Sequence, residues 1–89
     1  MRYLVESYLP AIDGTERDRV AARARAAVAE LACDGAALRY VDAIFVPEDE
    51  MCLLVYEADW PELVREAGRR AGFSVERVLE AAGTSPDSA

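Results

Sequence analysis

At 89 residues the chain has room for one domain and no second core. Hydrophobic residues make up 53% and charged residues 30%, a globular rather than disordered composition. Ten basic residues against 17 acidic ones give a net charge of −7, a field that repels phosphate backbones and anionic membranes and sets nucleic acid and membrane surfaces aside as partners. Cys33 and Cys52 show no CxxC spacing and read as reduced thiols in a cytoplasmic protein. The N-terminal run meets Glu6 too soon for a signal-peptide apolar region. No apolar run approaches the roughly 20 residues that span a bilayer.

Residues 3–9 are rich in β-branched and aromatic side chains and stop at Pro10, which predicts a first strand. A turn follows over residues 11–14. Thr15 is placed to cap a helix, with Asp18 three residues on. Val20, Ala24, Ala27, Val28 and Leu31 recur at helical spacing, while Arg17, Arg19, Arg23, Arg25 and Glu30 take the other faces. Asp34-Gly35 ends that helix in a left-handed cap. Residues 38–46 and 51–57 are strands joined as a hairpin through Pro47-Glu48-Asp49-Glu50.

Asp59-Trp60-Pro61-Glu62 predicts a second helix, with Asp59 as cap, Pro61 in the first turn and Glu62 bonding back. Its buried stripe is Leu63, Val64, Ala67 and Ala71, and Gly72-Phe73 matches a helix end in which the residue beyond glycine packs back. Residues 77–82 form a short last strand, and 83–89 a flexible tail. The order is the split βαββαβ pattern: an α+β, ferredoxin-like domain over residues 1–82, with a four-stranded antiparallel sheet and two helices on one face.

Side chains alternate across a strand, so each strand divides in two. The expected helix-facing layer is Val5, Val41, Ala43, Phe45, Met51, Leu53, Val55, Leu79 and Ala81. The other face then carries Leu4, Glu6, Tyr8, Leu38, Tyr40, Asp42, Ile44, Cys52, Leu54, Tyr56, Val78 and Glu80. Such a face, too apolar for open water, calls for a second copy, as in a dimeric α/β barrel. Its bland role is a dimer seam in which Glu6, Asp42 and Glu80 pair with arginines or sit at a wet rim. Its sharper role is a pocket for a small organic ligand, with Glu6, Tyr8, Tyr40, Asp42, Cys52, Tyr56 and Glu80 as candidates. A cofactor-free acid–base enzyme would use the same pocket, its carboxylates raised by burial. No catalytic residue is singled out.

Metal binding would have to work without histidine. A set of Cys52, Glu6, Asp42 and Glu80 mixes soft and hard ligands without a recognisable spacing, and Glu48-Asp49-Glu50 lacks the pattern of a calcium loop. No metal or other cofactor is therefore expected, and a carboxylate-based ion site stays as an alternative. Cys52 has no histidine base, and Cys33 sits at a helix C-terminus where the dipole disfavours a thiolate. No serine has a triad partner and no glycine-rich phosphate loop is present. Arg65, Arg69 and Arg70 with Glu62 and Glu66 read as a salt-bridged helix face.

The run Arg2-Tyr3-Leu4-Val5-Glu6, the segment from Phe45 through Pro47-Glu48-Asp49-Glu50 to Cys52, and the stretch from Tyr56-Glu57-Ala58 to Ala71-Gly72-Phe73 resemble one bacterial family. That family carries domain of unknown function 4242, and some of its members are described as nickel-binding. The resemblance covers all but the tail and implies a dimeric ferredoxin-like protein. In the family a histidine often follows an aromatic residue in the second strand. Here the comparable stretch is Tyr40-Val41-Asp42, so the nickel function is not carried over, and Asp42 would suit only a harder metal. Trp60 replaces the small residue usual in the family and is expected to pack at the helix start.

Overall fold

A computed structural model of the chain describes residues 1–9 and 14–81. The predicted turn at residues 11–13, the last strand's residue 82 and the tail at 83–89 lie outside the described residues. The elements run β1 (Arg2–Tyr8), α1 (Gly14–Cys33), β2 (Leu38–Val46), a 3-10 turn (Pro47–Asp49), β3 (Met51–Ala58), α2 (Pro61–Arg70) and β4 (Arg77–Ala81). Sheet order is β2-β3-β1-β4 with every neighbouring pair antiparallel, the ferredoxin-like α+β arrangement predicted above. No helix among the described residues is long and apolar enough to cross a membrane.

Both helices end as their glycines predict. Beyond α1, the Gly35 N–H donates to the Ala32 carbonyl and the Ala36 N–H to that of Leu31, with Gly35 at φ +90°. Beyond α2, the Gly72 N–H donates to Arg69 and the Phe73 N–H to Gly68, with Gly72 at φ +84° and Phe73 buried. Each is a paired closure of two orphan carbonyls that a left-handed residue makes possible.

The helix starts differ from expectation. α1 begins at Gly14, so Thr15 stands inside its first turn. The cap of α2 is Trp60, one residue after Asp59, and no side chain bonds to the free amides. Proline explains this shift: it drives the residue before it into the extended region, and Trp60 takes φ −136°, ψ 137°. Trp60 does not pack at the helix start but is 64% exposed.

The core lies between the helices and one face of the sheet. Val20, Ala24, Ala27 and Leu31 of α1 meet Val64 and Ala67 of α2 and Ala71 just beyond it over Tyr3, Val5, Cys52, Leu54 and Tyr56. Small residues let the layers close: a Cβ on Gly68 would stand 2.8 Å from Val75 Cγ2 and 3.8 Å from Val5 Cγ1. Each buried aliphatic side chain contributes about 1.5–3 kcal/mol on leaving water.

One arginine fastens the two helices together. Arg23 Nε donates to the Ala71 carbonyl at 2.8 Å, and its guanidinium lies 4.8 Å from the Phe73 ring centre. A Cβ on Gly72 would fall 2.5 Å from Arg23 Nη2 while being held at positive φ. Gly72→Ala is expected to lower the unfolding free energy by about 1–3 kcal/mol in urea titration, the sum of backbone strain and a displaced Arg23.

Candidate functional site

Cross-strand partners share a face of a sheet, so the register places every candidate. Tyr3 pairs with Tyr56 and with Glu80, and Tyr56 pairs with Tyr40. Those four make one row across all four strands, and it lies on the helix side, because Tyr3 and Tyr56 belong to the core and Tyr40 packs against it. Cys52 pairs with Ser7 and Phe45 on the same side, and Leu54 with Val5 and Ala43.

The expected division of the strands is therefore corrected. Leu38, Tyr40, Cys52, Leu54, Tyr56, Val78 and Glu80 line the helix side. Met51, Leu53, Val55, Leu79 and Ala81 share the open side with Leu4, Glu6, Tyr8, Asp42 and Ile44. Two causes combine. β3 is apolar at nearly every inward and outward position, so its parity carries no sequence signal. In β2 a bulge between Tyr40 and Asp42 leaves Val41 without a partner and reverses the alternation midway. The seven candidates thus form two groups, Tyr40, Cys52, Tyr56 and Glu80 on one side and Glu6, Tyr8 and Asp42 on the other.

In the first group Tyr56 is 0% exposed, and its hydroxyl has no hydrogen-bond partner among the described residues. Its ring meets Tyr40 edge-on, with centres 5.8 Å apart and planes at 70°. The Arg25 guanidinium covers the Tyr40 ring at 5.6 Å, and Arg17 covers Phe45 at 5.3 Å. Burial pushes the Cys52 thiol up to about 11, so at neutral pH it is a neutral packing group. Burial first, then Tyr40 and Cys52, also raises Tyr56. Tyr40 is raised by burial and by Asp42, with Arg25 opposing. Leaving a phenol hydroxyl unpaired in the core costs about 1–3 kcal/mol. Glu80 stands exposed at the end of this row, and with Glu62 and Asp59 it adds to the effect of burial in raising Tyr3.

The second group sits on the face that neither helix covers. Leu4, Leu53, Val55 and Leu79 run across its middle beside Ile44. Val55 is only 6% exposed although it lies outside the cluster that the helices cover, and Ile44 is 47% exposed. Charged pairs bound this strip. Arg77 Nε donates to Glu6 Oε2 at 2.8 Å on one side. On the other, Arg2 and Arg39 both donate to Glu57, whose carboxyl the two bonds lower, Arg39 first. Tyr8 donates its hydroxyl to Glu50 Oε2 at 2.7 Å, which raises the phenol. Asp42 Oδ1 accepts from the Ala43 N–H at 2.8 Å. A wide-open cleft of about 450 Å³ lies at the end of the sheet, between Met1, Leu38, Arg39, Glu57 and Asp59.

Sequence reasoning missed the arginines that close over the aromatic rings, although Arg17 and Arg25 flank the apolar stripe of α1 at two-turn spacing. Of the three carboxylates given to a seam or its wet rim, Glu6 is held within the chain by Arg77.

Cys52 and Tyr56 give alkaline stability a definite sign. Both protons are held more tightly in the folded chain: the Cys52 contribution is complete below the unfolded thiol value of 9.0 and is lost as pH climbs toward about 11, and the Tyr56 contribution is lost only at higher pH, starting above its unfolded value of 10.0. Urea unfolding from pH 7 to 11 should show stability falling above about pH 9. Tyr56→Phe should flatten the fall above pH 10 and, by removing an unpaired hydroxyl, leave stability at pH 7 equal or higher by up to ~1 kcal/mol.

A family model described as nickel responsive protein SCO4226-like matches residues 3–81. The crystal structure of SCO4226 from Streptomyces coelicolor A3(2) superposes with a TM-score of 0.79 at 13% identity, over 96% of this chain and 100% of that one. At that identity the likeness speaks for the fold. No curated protein matches the chain. The family model, spanning both helices and all of the sheet but Arg2, agrees with the resemblance read from the sequence, and the chain belongs to the SCO4226-like family of nickel responsive proteins.

Proposed function

We propose that this chain is a small homodimeric binding protein whose two copies face each other through the open side of the sheet and enclose a small apolar organic ligand. The observation that carries this reading is the aliphatic strip of Leu4, Leu53, Val55 and Leu79, with Ile44 beside it, uncovered by either helix. Val55 is buried at its centre, Leu4, Leu53 and Leu79 are half-buried around it and Ile44 is exposed, and apolar side chains left partly open on a sheet face favour an association site. The charged pairs Glu6–Arg77 and Arg2–Glu57–Arg39 frame the strip as a polar rim frames an interface core. A second copy also supplies cover that an 89-residue chain lacks on its own.

The ligand space in this reading differs from the one the sequence suggested. Its walls are aliphatic, because Tyr40, Cys52 and Tyr56 lie on the far side of the sheet. An acid–base enzyme built on tyrosines and carboxylates together draws less support for the same reason. Of the candidates, Glu6, Tyr8 and Asp42 face the proposed partner, and the first two already hold Arg77 and Glu50.

Native mass spectrometry of the purified protein at about 10 μM should show a dimer, with any retained organic molecule as added mass. Ile44→Lys, at a position already half exposed in the single chain, should give a monomer with an unchanged circular dichroism spectrum. A wild-type chain that stays monomeric at about 100 μM would sink the dimer reading.

A further inference from the structure

The family's description raises nickel, and the donor chemistry of this chain decides whether it can hold the ion. We infer that this chain does not bind nickel through its own side chains, so that its kinship with the family is one of scaffold and not of a protein-ligated ion site. The inference is independent of the dimer reading.

Nickel among the divalent metals favours imidazole nitrogen, which holds it against the water and carboxylate oxygen that suit magnesium or calcium. The full sequence contains no histidine, so neither one copy nor two can offer an imidazole. Thiolate is the next strong donor. Cys52 is sealed in the core, and its proton stays on up to about 11. Cys33 is exposed at the end of α1, close in sequence to Glu30 and Asp34. Those two carboxylates already share a cation: Arg70 Nη1 lies 3.8 Å from Glu30 Oε1 and 3.3 Å from Asp34 Oδ2, and Arg70 Nε lies 3.0 Å from Glu66 Oε2. A guanidinium thus already neutralises the carboxylates nearest Cys33 in sequence.

The open face fares no better. Glu6 is held by Arg77 and Glu57 by Arg2 and Arg39, so a metal there would approach fixed positive charge. Asp42 remains, with one oxygen accepting its neighbour's amide. A second copy brought onto this face would add another Asp42, and two carboxylates leave nickel to water for most of its coordination. Among the described residues no three histidine, cysteine, aspartate or glutamate side chains are grouped so as to hold a metal ion. Residues 10–13 and 82–89 add two carboxylates, Asp13 and Asp87, and no thiol.

The test uses the untagged wild-type protein, since a histidine tag would supply the missing donor. Equilibrium dialysis against about 10 μM nickel chloride at pH 7.5, with metal measured by mass spectrometry, should leave less than ~0.1 nickel per chain, and the melting temperature should not move with added nickel. One nickel per chain or per dimer, or a nickel-dependent rise in melting temperature, would overturn the inference. A native mass spectrum of the same sample separates the two readings: a nickel-free dimer upholds both, a nickel-loaded dimer overturns this one alone, and a nickel-free monomer overturns only the dimer.

Discussion

Antiparallel pairing of β3 with both β1 and β2 is the constraint on which the rest of this small structure depends. Once Val46 is set opposite Met51 by the turn at Pro47–Asp49, every later residue of β3 has its side chosen for it. Cys52, Leu54 and Tyr56 go under the helices, and Leu53, Val55 and Glu57 go to the open side. A shift of one residue would put Glu57 into the core and expose Tyr56. The Glu50 backbone, left-handed at φ 52°, is the local distortion that lets the turn close in this register.

The features of the fold that could be read from the residues were those with a local cause. Gly35 and Gly72 announce helix ends because a left-handed backbone suits little else, and Pro61 announces a helix start because it needs no amide partner. The sides of β3 were not legible in the same way. Met51-Cys52-Leu53-Leu54-Val55 has no polar residue to fix its phase, and the two faces differ only in what lies across the sheet. In β2, Tyr40 and Asp42 look like members of one alternating set, yet the bulge between them sends Tyr40 to α1 and Asp42 outward. The candidate site inherited both ambiguities. Glu6, Tyr8 and Asp42 were assigned to the correct side, whereas Tyr40, Cys52, Tyr56 and Glu80 needed the register to be known.

Arginine carries an unusual share of the tertiary organisation. All ten basic residues are arginine, and three of those on α1 lie over aromatic rings, Arg17 on Phe45, Arg23 on Phe73 and Arg25 on Tyr40. A planar guanidinium can stack on a ring while its edges still donate, as Arg23 does to Ala71. Arg70 performs the related task between the helices, joining Glu30 of α1 and Asp34 just beyond it to Glu66 of α2. Lysine, a point charge, could replace neither arrangement. The chain's acidic excess is in this way drawn into cross-links.

The bulge at Val41 has a bearing on solubility. β2 is an outer strand nine residues long, rich in aliphatic and aromatic side chains, the sort of edge that recruits another strand and starts a fibre. An unpaired residue in its middle breaks the even ladder of amides and carbonyls and adds local twist, so an incoming strand would find its register interrupted halfway along. Asp42 beside it puts a charge on that same stretch. Growth by edge-to-edge addition is thereby discouraged on this border, while the flat side of the sheet is left free to associate.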